Sequence, residues 1–347
     1  MQKLLAFLAI VSLSLLPSSL IAEPIKLKVA FYSSDQSMSF LGAVKPFTDA
    51  VGSAANGAIQ FEFFFSGALG KDVTMQPQIV RDGAADIAFA VPGVSPDLFP
   101  DNAVLELPGL FRDSREATLV YTRLIAQNML RGYGDFFVIA ACVTEPETIH
   151  SRVPIKSLGD LSGKRIRINN PREGAVLEKL GAIPVLMPIT EITGAISSGK
   201  LDAAVVNPTP LSDYGIKRVT PYHYFLRTSG APLLTLMNRK RFEALPNQTQ
   251  DIIRAYSGEW PAERFIATYD AGDEAVMRQL KSDPKRTLVF PSAADREKAQ
   301  HIFDLVIDDW ASSSERNREL LRTVKAELVK LRQEQGRSDP NGSRARQ

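Results

Sequence analysis

Lys26-Leu27-Lys28-Val29-Ala30-Phe31-Tyr32 alternates polar and apolar residues, runs into Ser33-Ser34-Asp35, and is followed by Phe40, Val44, Phe47, Val51 and Ala54 at helical spacing. Period two followed by period 3.6 across a turn-forming triplet is a strand, a loop and an amphipathic helix. The pattern then repeats. Ile59, Phe61, Phe63 and Phe65 recur with period two up to Ser66-Gly67, Asp72 to Arg81 reads as a helix carrying Pro77, and Asp82-Gly83 stops it before the short strand Asp86 to Val91. Further on, a helix around Glu116 to Leu130 precedes a strand near Phe137 to Val143, which leads into Thr144-Glu145-Pro146. Lys164 to Ile168 is another strand, Glu173 to Leu180 a helix stopped by Gly181, Thr190 caps a helix ending at Gly199, and Asp202 to Val206 is a strand closed by Asn207-Pro208. Alternation of this kind predicts an α/β fold with mainly parallel sheets, in which ligands lie beyond the carboxyl ends of the strands.

Past Tyr222 the pattern changes to a returning strand, Leu233 to Met237, and a long helical tract from about Gln248 to Leu280, broken or bent by Pro261 and long enough to lie across two lobes. From Gln333 the chain is charged and rich in Gly, Ser, Pro and Arg, so 333–347 is expected to be disordered. At the other end, Lys3, the apolar run Leu4 to Leu16 and the small-residue exit Pro17 to Ala22 have the layout of a secretory signal peptide over 1–22. Leu20 at the minus-three position is bulkier than such cleavage sites favour, which leaves an uncleaved anchor as the alternative. Removing 1–22 leaves about 325 residues, beyond one comfortable core and suited to two domains. The expected division is 23–143 with 232–270 in lobe I and 144–231 with 271–332 in lobe II.

Composition narrows the function. The 41 Lys and Arg against 39 Asp and Glu give no charge excess to recruit nucleic acid or an anionic membrane. Cys142 is the single cysteine, so an exported chain of this kind depends on apolar burial instead of a disulfide. His150, His223 and His301 lie far apart in sequence without metal-ligand spacing, and read as surface or capped histidines; neither a metal nor another cofactor is expected. Gly194 to Leu201 spells G-x-x-x-x-G-K but puts leucine where a phosphate loop needs Ser or Thr, and a helix runs into it, so it reads as a helix C-cap. Gly132-Tyr133-Gly134 lacks the third glycine of a dinucleotide fingerprint. Cys142 sits in the apolar run Val138-Ile139-Ala140-Ala141, where cysteine acts as a small core residue, and no G-x-S-x-G elbow occurs. Nothing here points to an enzyme.

The remaining features are the basic strand Gly163-Lys164-Arg165-Ile166-Arg167-Ile168-Asn169 and the strand exit at Asn207. Arg165 shares Arg167's side by period two, which taken alone reads as a solvated strand face. Together with Leu69-Gly70, Arg81 to Ala88, Leu107-Pro108-Gly109-Leu110-Phe111, Ser157 to Arg167, Leu180 to Pro188, Gly199-Lys200-Leu201-Asp202, Met237-Asn238 and Ala244-Leu245-Pro246, the chain resembles the substrate-binding proteins of tripartite ATP-independent periplasmic (TRAP) transporters, the DctP family.

That resemblance implies a two-lobed periplasmic binding protein of type II-like fold with a long helix spanning both lobes. It also implies a periplasmic location, a small organic anion as ligand and the membrane permease subunits of a TRAP transporter as partners. The arginine matching Arg167 binds the ligand carboxylate in that family, and a guanidinium fork suits two parallel bonds to a carboxylate. The resemblance also points to Asn207 as a second donor, with Val206 or Pro208 open at an offset of one. Tyr32, Val91, Asn169 and Ile189 follow as further lining positions. Val91 stands where the sugar-acid members carry an acid, and no arginine lies near Glu145 to Glu147 where they have a second one. A less polar pocket follows, suited to a keto, hydroxy or aromatic acid with one or two carboxylates. The competing readings are an exported carboxylate sensor and an exported α/β enzyme acting on a carboxylate.

Overall fold

Eleven strands form two separate sheets in the computed structural model of the chain, which describes residues 23–338. The signal peptide expected over 1–22 lies outside the described residues. In chain order the strands are β1 (Ile25–Ala30), β2 (Ile59–Phe64), β3 (Ile87–Ala90), β4 (Phe136–Val143), β5 (Thr148–Ser151) and β6 (Arg165–Ile168). They continue with β7 (Ile183–Leu186), β8 (Ala203–Val206), β9 (Tyr222–Tyr224), β10 (Pro232–Asn238) and β11 (Thr287–Val289). The first sheet has the order β2-β1-β3-β10-β4 and the second β11-β9-β5-β8-β6-β7.

Each lobe is more mixed in direction than alternation alone predicts. β1 runs parallel to β2 and β3, and β6 parallel to β7 and β8. β10 is antiparallel to β3 and β4, and β5 antiparallel to β8 and β9. The reason is the connectivity: β5 and β10 are the first strands after the chain crosses between lobes, and each enters its sheet from the hinge end. The two crossings lie side by side. Thr144 N donates to Ala231 O at 3.1 Å, Glu147 N to Ser229 O at 2.9 Å and Thr228 N to Glu147 O at 3.0 Å. Gly230 makes this approach possible, because a Cβ there would fall 2.3 Å from Thr144 O.

A third connection is the helix Glu259–Ser282, whose first half buries Phe265, Ile266 and Tyr269 in the first lobe and whose second half buries Val276 and Leu280 in the second. The helical tract is broken three residues before Pro261. A helix over Asn247–Ala255 ends, Gly258 takes φ +73, and Pro261 sits in the first turn of the new helix, where a missing N–H costs nothing.

The C-terminal helices depart from the expected lobe assignment. Ala293–Ser312 contributes Ile302, Phe303 and Val306 to the second lobe's core, but Glu315–Ser338 lays Leu320, Leu321, Val324, Leu328 and Leu331 into the first lobe's core. Those positions form a stripe at spacings of three and four, which binds the helix to the first lobe. Nor is 333–338 disordered: it continues that helix, held by Arg332 on Glu116 at 2.8 Å and Arg123 on Glu334 at 2.7 Å. Extending an existing helix avoids the nucleation cost that a free polar segment would face. The rest of the expected tail, from 339, lies outside the described residues.

Cys142 is buried in the first lobe's core, and burial pushes its thiol pKa up. Among the described residues no helix is long and apolar enough to cross a membrane. Gly199 has φ +74 and Lys200 N donates to Ala195 O at 2.9 Å, so the G-x-x-x-x-G-K stretch is a helix C-cap. His150 and His223 differ from the surface or capped reading. They are fully buried, paired across β5 and β9, with Nδ1 atoms 2.7 Å apart. Burial lowers both pKa values, so both rings stay neutral. Among the described residues, no group of side chains suited to a metal ion occurs.

Candidate binding site

The strand exits of both sheets converge on one interlobe cavity. Tyr32 follows β1, Val91 follows β3, Arg167 and Asn169 lie at the end of β6, Ile189 follows β7 and Asn207 follows β8; all six line this cavity. Neither Val206 nor Pro208 lines it. The space measures about 70 Å³ to the centres of water-sized spheres. A single water needs roughly 10–15 Å³ on that measure, so the cavity has room for a small molecule.

Arg167 is 3% exposed although Arg165, two residues earlier on the same strand, is exposed. β6 is flanked by β7 and β8, and their terminal carbonyls fix the guanidinium: Nε donates to Met187 O at 2.9 Å and Nη1 to Val205 O at 3.1 Å. These bonds set its plane, and among the described residues none accepts a hydrogen bond from Nη2. Burial lowers the guanidinium's pKa, and the nearby Glu147 and Glu173 carboxyls oppose that shift. Arg165 instead pairs with Asp202 at 3.6 Å at the outer end of the strand.

Asn207 is 2% exposed, and its Nδ2 has no hydrogen-bond partner. A buried amide donor without an acceptor costs roughly 1–3 kcal/mol, so an acceptor supplied from within the cavity would be favoured. Asn169 is differently employed. Its Nδ2 donates to both oxygens of Glu147 at 2.9 Å, and its Oδ1 accepts from Asn170 Nδ2 at 2.6 Å. It lines the cavity while positioning Glu147.

The first lobe's contribution is mostly apolar: Val73, Val91, Val94 and Leu233 join Tyr32 and Tyr269. The Tyr32 hydroxyl meets Tyr214 from the second lobe, and burial raises its pKa well above the ordinary tyrosine value. Tyr269 OH lies 2.7 Å from Ser39 Oγ. Two further contacts join the lobes around the cavity: Met38 N donates to Asp213 Oδ2 at 3.0 Å, and Arg172 pairs with the buried Glu106 at 2.9 Å.

Sequence reading missed Glu147, Glu173, Asp213, Tyr214 and Tyr269. Glu147 lies where the absence of an arginine had already marked a departure, but its fate depends on contacts 22 and 26 residues away. It is buried on Asn169 and hydrogen-bonded to Glu173, which also accepts from Thr228 Oγ1 at 3.0 Å. Burial and the neighbouring carboxyl raise Glu147's pKa, and burial raises that of Glu173.

Two sheets hinged at paired crossings, with a single buried guanidinium and an unpartnered amide between them, define the class as a two-lobed solute-binding protein. The chain belongs to the DctP family, bacterial extracellular solute-binding protein family 7, whose model matches residues 29–313. It is 27% identical over 215 residues to a solute-binding protein of Verminephrobacter eiseniae, spanning 60% of this chain and 63% of that protein. Solved structures match at greater length. The TRAP solute-binding protein of Rhodoferax ferrireducens T118, in complex with copurified benzoate, superposes with TM-score 0.79 at 26% identity, covering 88% of this chain and 98% of that one. A marine-metagenome TRAP solute-binding protein specific for aromatic acid ligands, crystallised with 3-hydroxybenzoate, gives TM-score 0.81 at 25% identity over 89% and 99%.

Proposed function

We propose that the protein captures a small, partly apolar organic carboxylate between its lobes, outside the cytoplasmic membrane, and delivers it to the membrane permease subunits of a TRAP transporter. The observation that carries this reading is the buried Arg167 guanidinium with a free Nη2, set in the same cavity as the unpartnered amide of Asn207. Arg167, Asn207 and the lining positions Tyr32, Val91, Asn169 and Ile189 form the ligand site. The carboxylate accepts from Arg167 and Asn207 in the second lobe, and the apolar body rests on Val91, Val94 and Leu233 of the first. A ligand touching both lobes stabilises their closed arrangement, and the closed surface is what the permease reads. The aromatic acids held by the two solved relatives, and the leader-like sequence over 1–22, support this reading.

A thermal-shift screen against a panel of aromatic, keto and hydroxy acids tests it. An acid at a hundredfold its Kd stabilises the folded state by about 2.7 kcal/mol, which raises Tm by roughly 5 °C or more. A flat response over the whole panel would remove the carboxylate from the proposal.

A further inference from the structure

The ionisable lining of the cavity is weighted toward acid. Arg167 is its one cation, whereas Glu147 and Asp213 are both acids, and Glu173 stands directly behind Glu147 in hydrogen-bond contact with it. Two buried carboxyls in such contact cannot both ionise, so they share a proton and carry one negative charge between them. The arrangement is fixed from every side. Asn169 Nδ2 holds both Glu147 oxygens at 2.9 Å, Thr228 Oγ1 donates to Glu173 at 3.0 Å, and Asn169 N donates to its other oxygen at 3.4 Å. Arg167 is the cation near the pair, and the neutral hydroxyls of Tyr32 and Tyr214 also lie near Arg167. The neighbouring Arg172 is already matched by Glu106 at 2.9 Å and adds no net charge. Asn207's free amide can take one acceptor group, and the lining offers no second cation for another.

Building on the carboxylate reading above, we propose that the Glu147–Glu173 pair selects ligand charge: it offsets Arg167 so that the cavity takes a ligand with one carboxylate and refuses one with two. A monocarboxylate takes the free donors of Arg167 and Asn207, and its charge together with the pair's already exceeds the one cation. A second carboxylate adds a further buried charge without a counterion, and Asp213, also on the lining, adds to the repulsion.

Matched ligands that differ only in charge test this by calorimetric titration at pH 7.5: 3-carbamoylbenzoate against isophthalate, and succinamate against succinate. The wild-type chain is expected to bind the carboxamide of at least one pair a hundredfold or more tighter than the diacid. The double variant Glu147→Gln/Glu173→Gln removes the pair's negative charge, which either single variant would leave on the remaining carboxyl, and is expected to shrink that ratio to tenfold or less. Equal affinity of wild type for both members of a pair overturns the inference and leaves the carboxylate reading intact, and this comparison needs no variant to fold. An undiminished ratio in the folded double variant also overturns it. Binding of none of the four ligands overturns the inference, and the thermal-shift panel then decides the carboxylate reading separately.

Discussion

The two walls of the cavity are built on opposite plans. The first lobe presents Val73, Val91, Val94 and Leu233, backed by a cluster in which Phe31, Phe40, Phe63, Phe65 and Phe89 pack edge-on, tilted or stacked at 4.9–6.4 Å. The second lobe presents Arg167, Asn169 and Asn207, whose polar atoms are fixed by strand-end carbonyls or by other side chains, except where Arg167 Nη2 and Asn207 Nδ2 remain free. An apolar wall contributes affinity in proportion to area and tolerates shape change, whereas a polar wall contributes direction and does not. On the proposed reading, the division assigns head-group recognition to one lobe and body recognition to the other, so that a ligand must engage both before closure is favoured.

Mutations should therefore act unequally on the two walls. Arg167→Ala is expected to have the largest effect. Loss of one member of a buried charge pair costs about 3 to 5 kcal/mol, so calorimetric titration with the best acid should show affinity falling by roughly two to three powers of ten or more. Arg167→Lys should recover only part, since an ammonium has no planar fork to hold the Met187 and Val205 carbonyls while presenting a fixed donor to the carboxylate. Unchanged affinity in Arg167→Ala would take that residue out of the site.

Asn207→Ala comes next. It removes one hydrogen bond to a charged group, worth about 1.5–3 kcal/mol, and should weaken binding by roughly tenfold to a hundredfold without altering which acids are accepted. On the other wall, Val91→Ala removes two methyl groups from the apolar face and should cost at most about 1.6 kcal/mol. Its effect should scale with the ligand's apolar body: several-fold for an aromatic acid and little for a two- or three-carbon acid. A uniform loss across both would contradict the division of labour.

A separate effect, on stability and not on affinity, concerns the connection between the walls. Asp273 on the spanning helix accepts from both the backbone N and the hydroxyl of Thr209, beside the second lobe's polar wall, and burial raises its pKa to about 7. A carboxyl whose folded pKa exceeds its unfolded value binds more protons when folded, so stability falls as pH rises from about 4 to 7. Asp273→Asn keeps an acceptor for Thr209 and removes that titration. Its Tm should decline less steeply across this interval than the wild type's, as measured by circular dichroism.

Much of the site was legible in the sequence because strand exits are. Short strands ending near Tyr32, Val91, Asn169 and Asn207 mark where an α/β sheet opens, the family resemblance points to those same positions, and the cavity lies at those ends. The features that escaped depend on distant contacts. Arg165 and Arg167 are equivalent by period, and only the flanking β7 and β8 bury one and leave the other in solvent. His150 and His223 are 73 residues apart, and the antiparallel pairing of β5 with β9 brings their rings together. Glu147 follows Pro146 in a segment that reads as a polar turn, and its burial comes from the crossing segment 228–231 and from Asn169. Likewise the spacing of Leu320, Leu321, Val324, Leu328 and Leu331 does not say which lobe they cover; the fold places them on the first.

The most direct test is a crystal structure with the tightest acid found in the screen. The carboxylate is expected to sit within about 3 Å of Arg167 Nη2 and Asn207 Nδ2, with the ligand's apolar body against Val91 and Leu233. A carboxylate found against the first lobe, with the apolar body turned toward Arg167, would contradict the account.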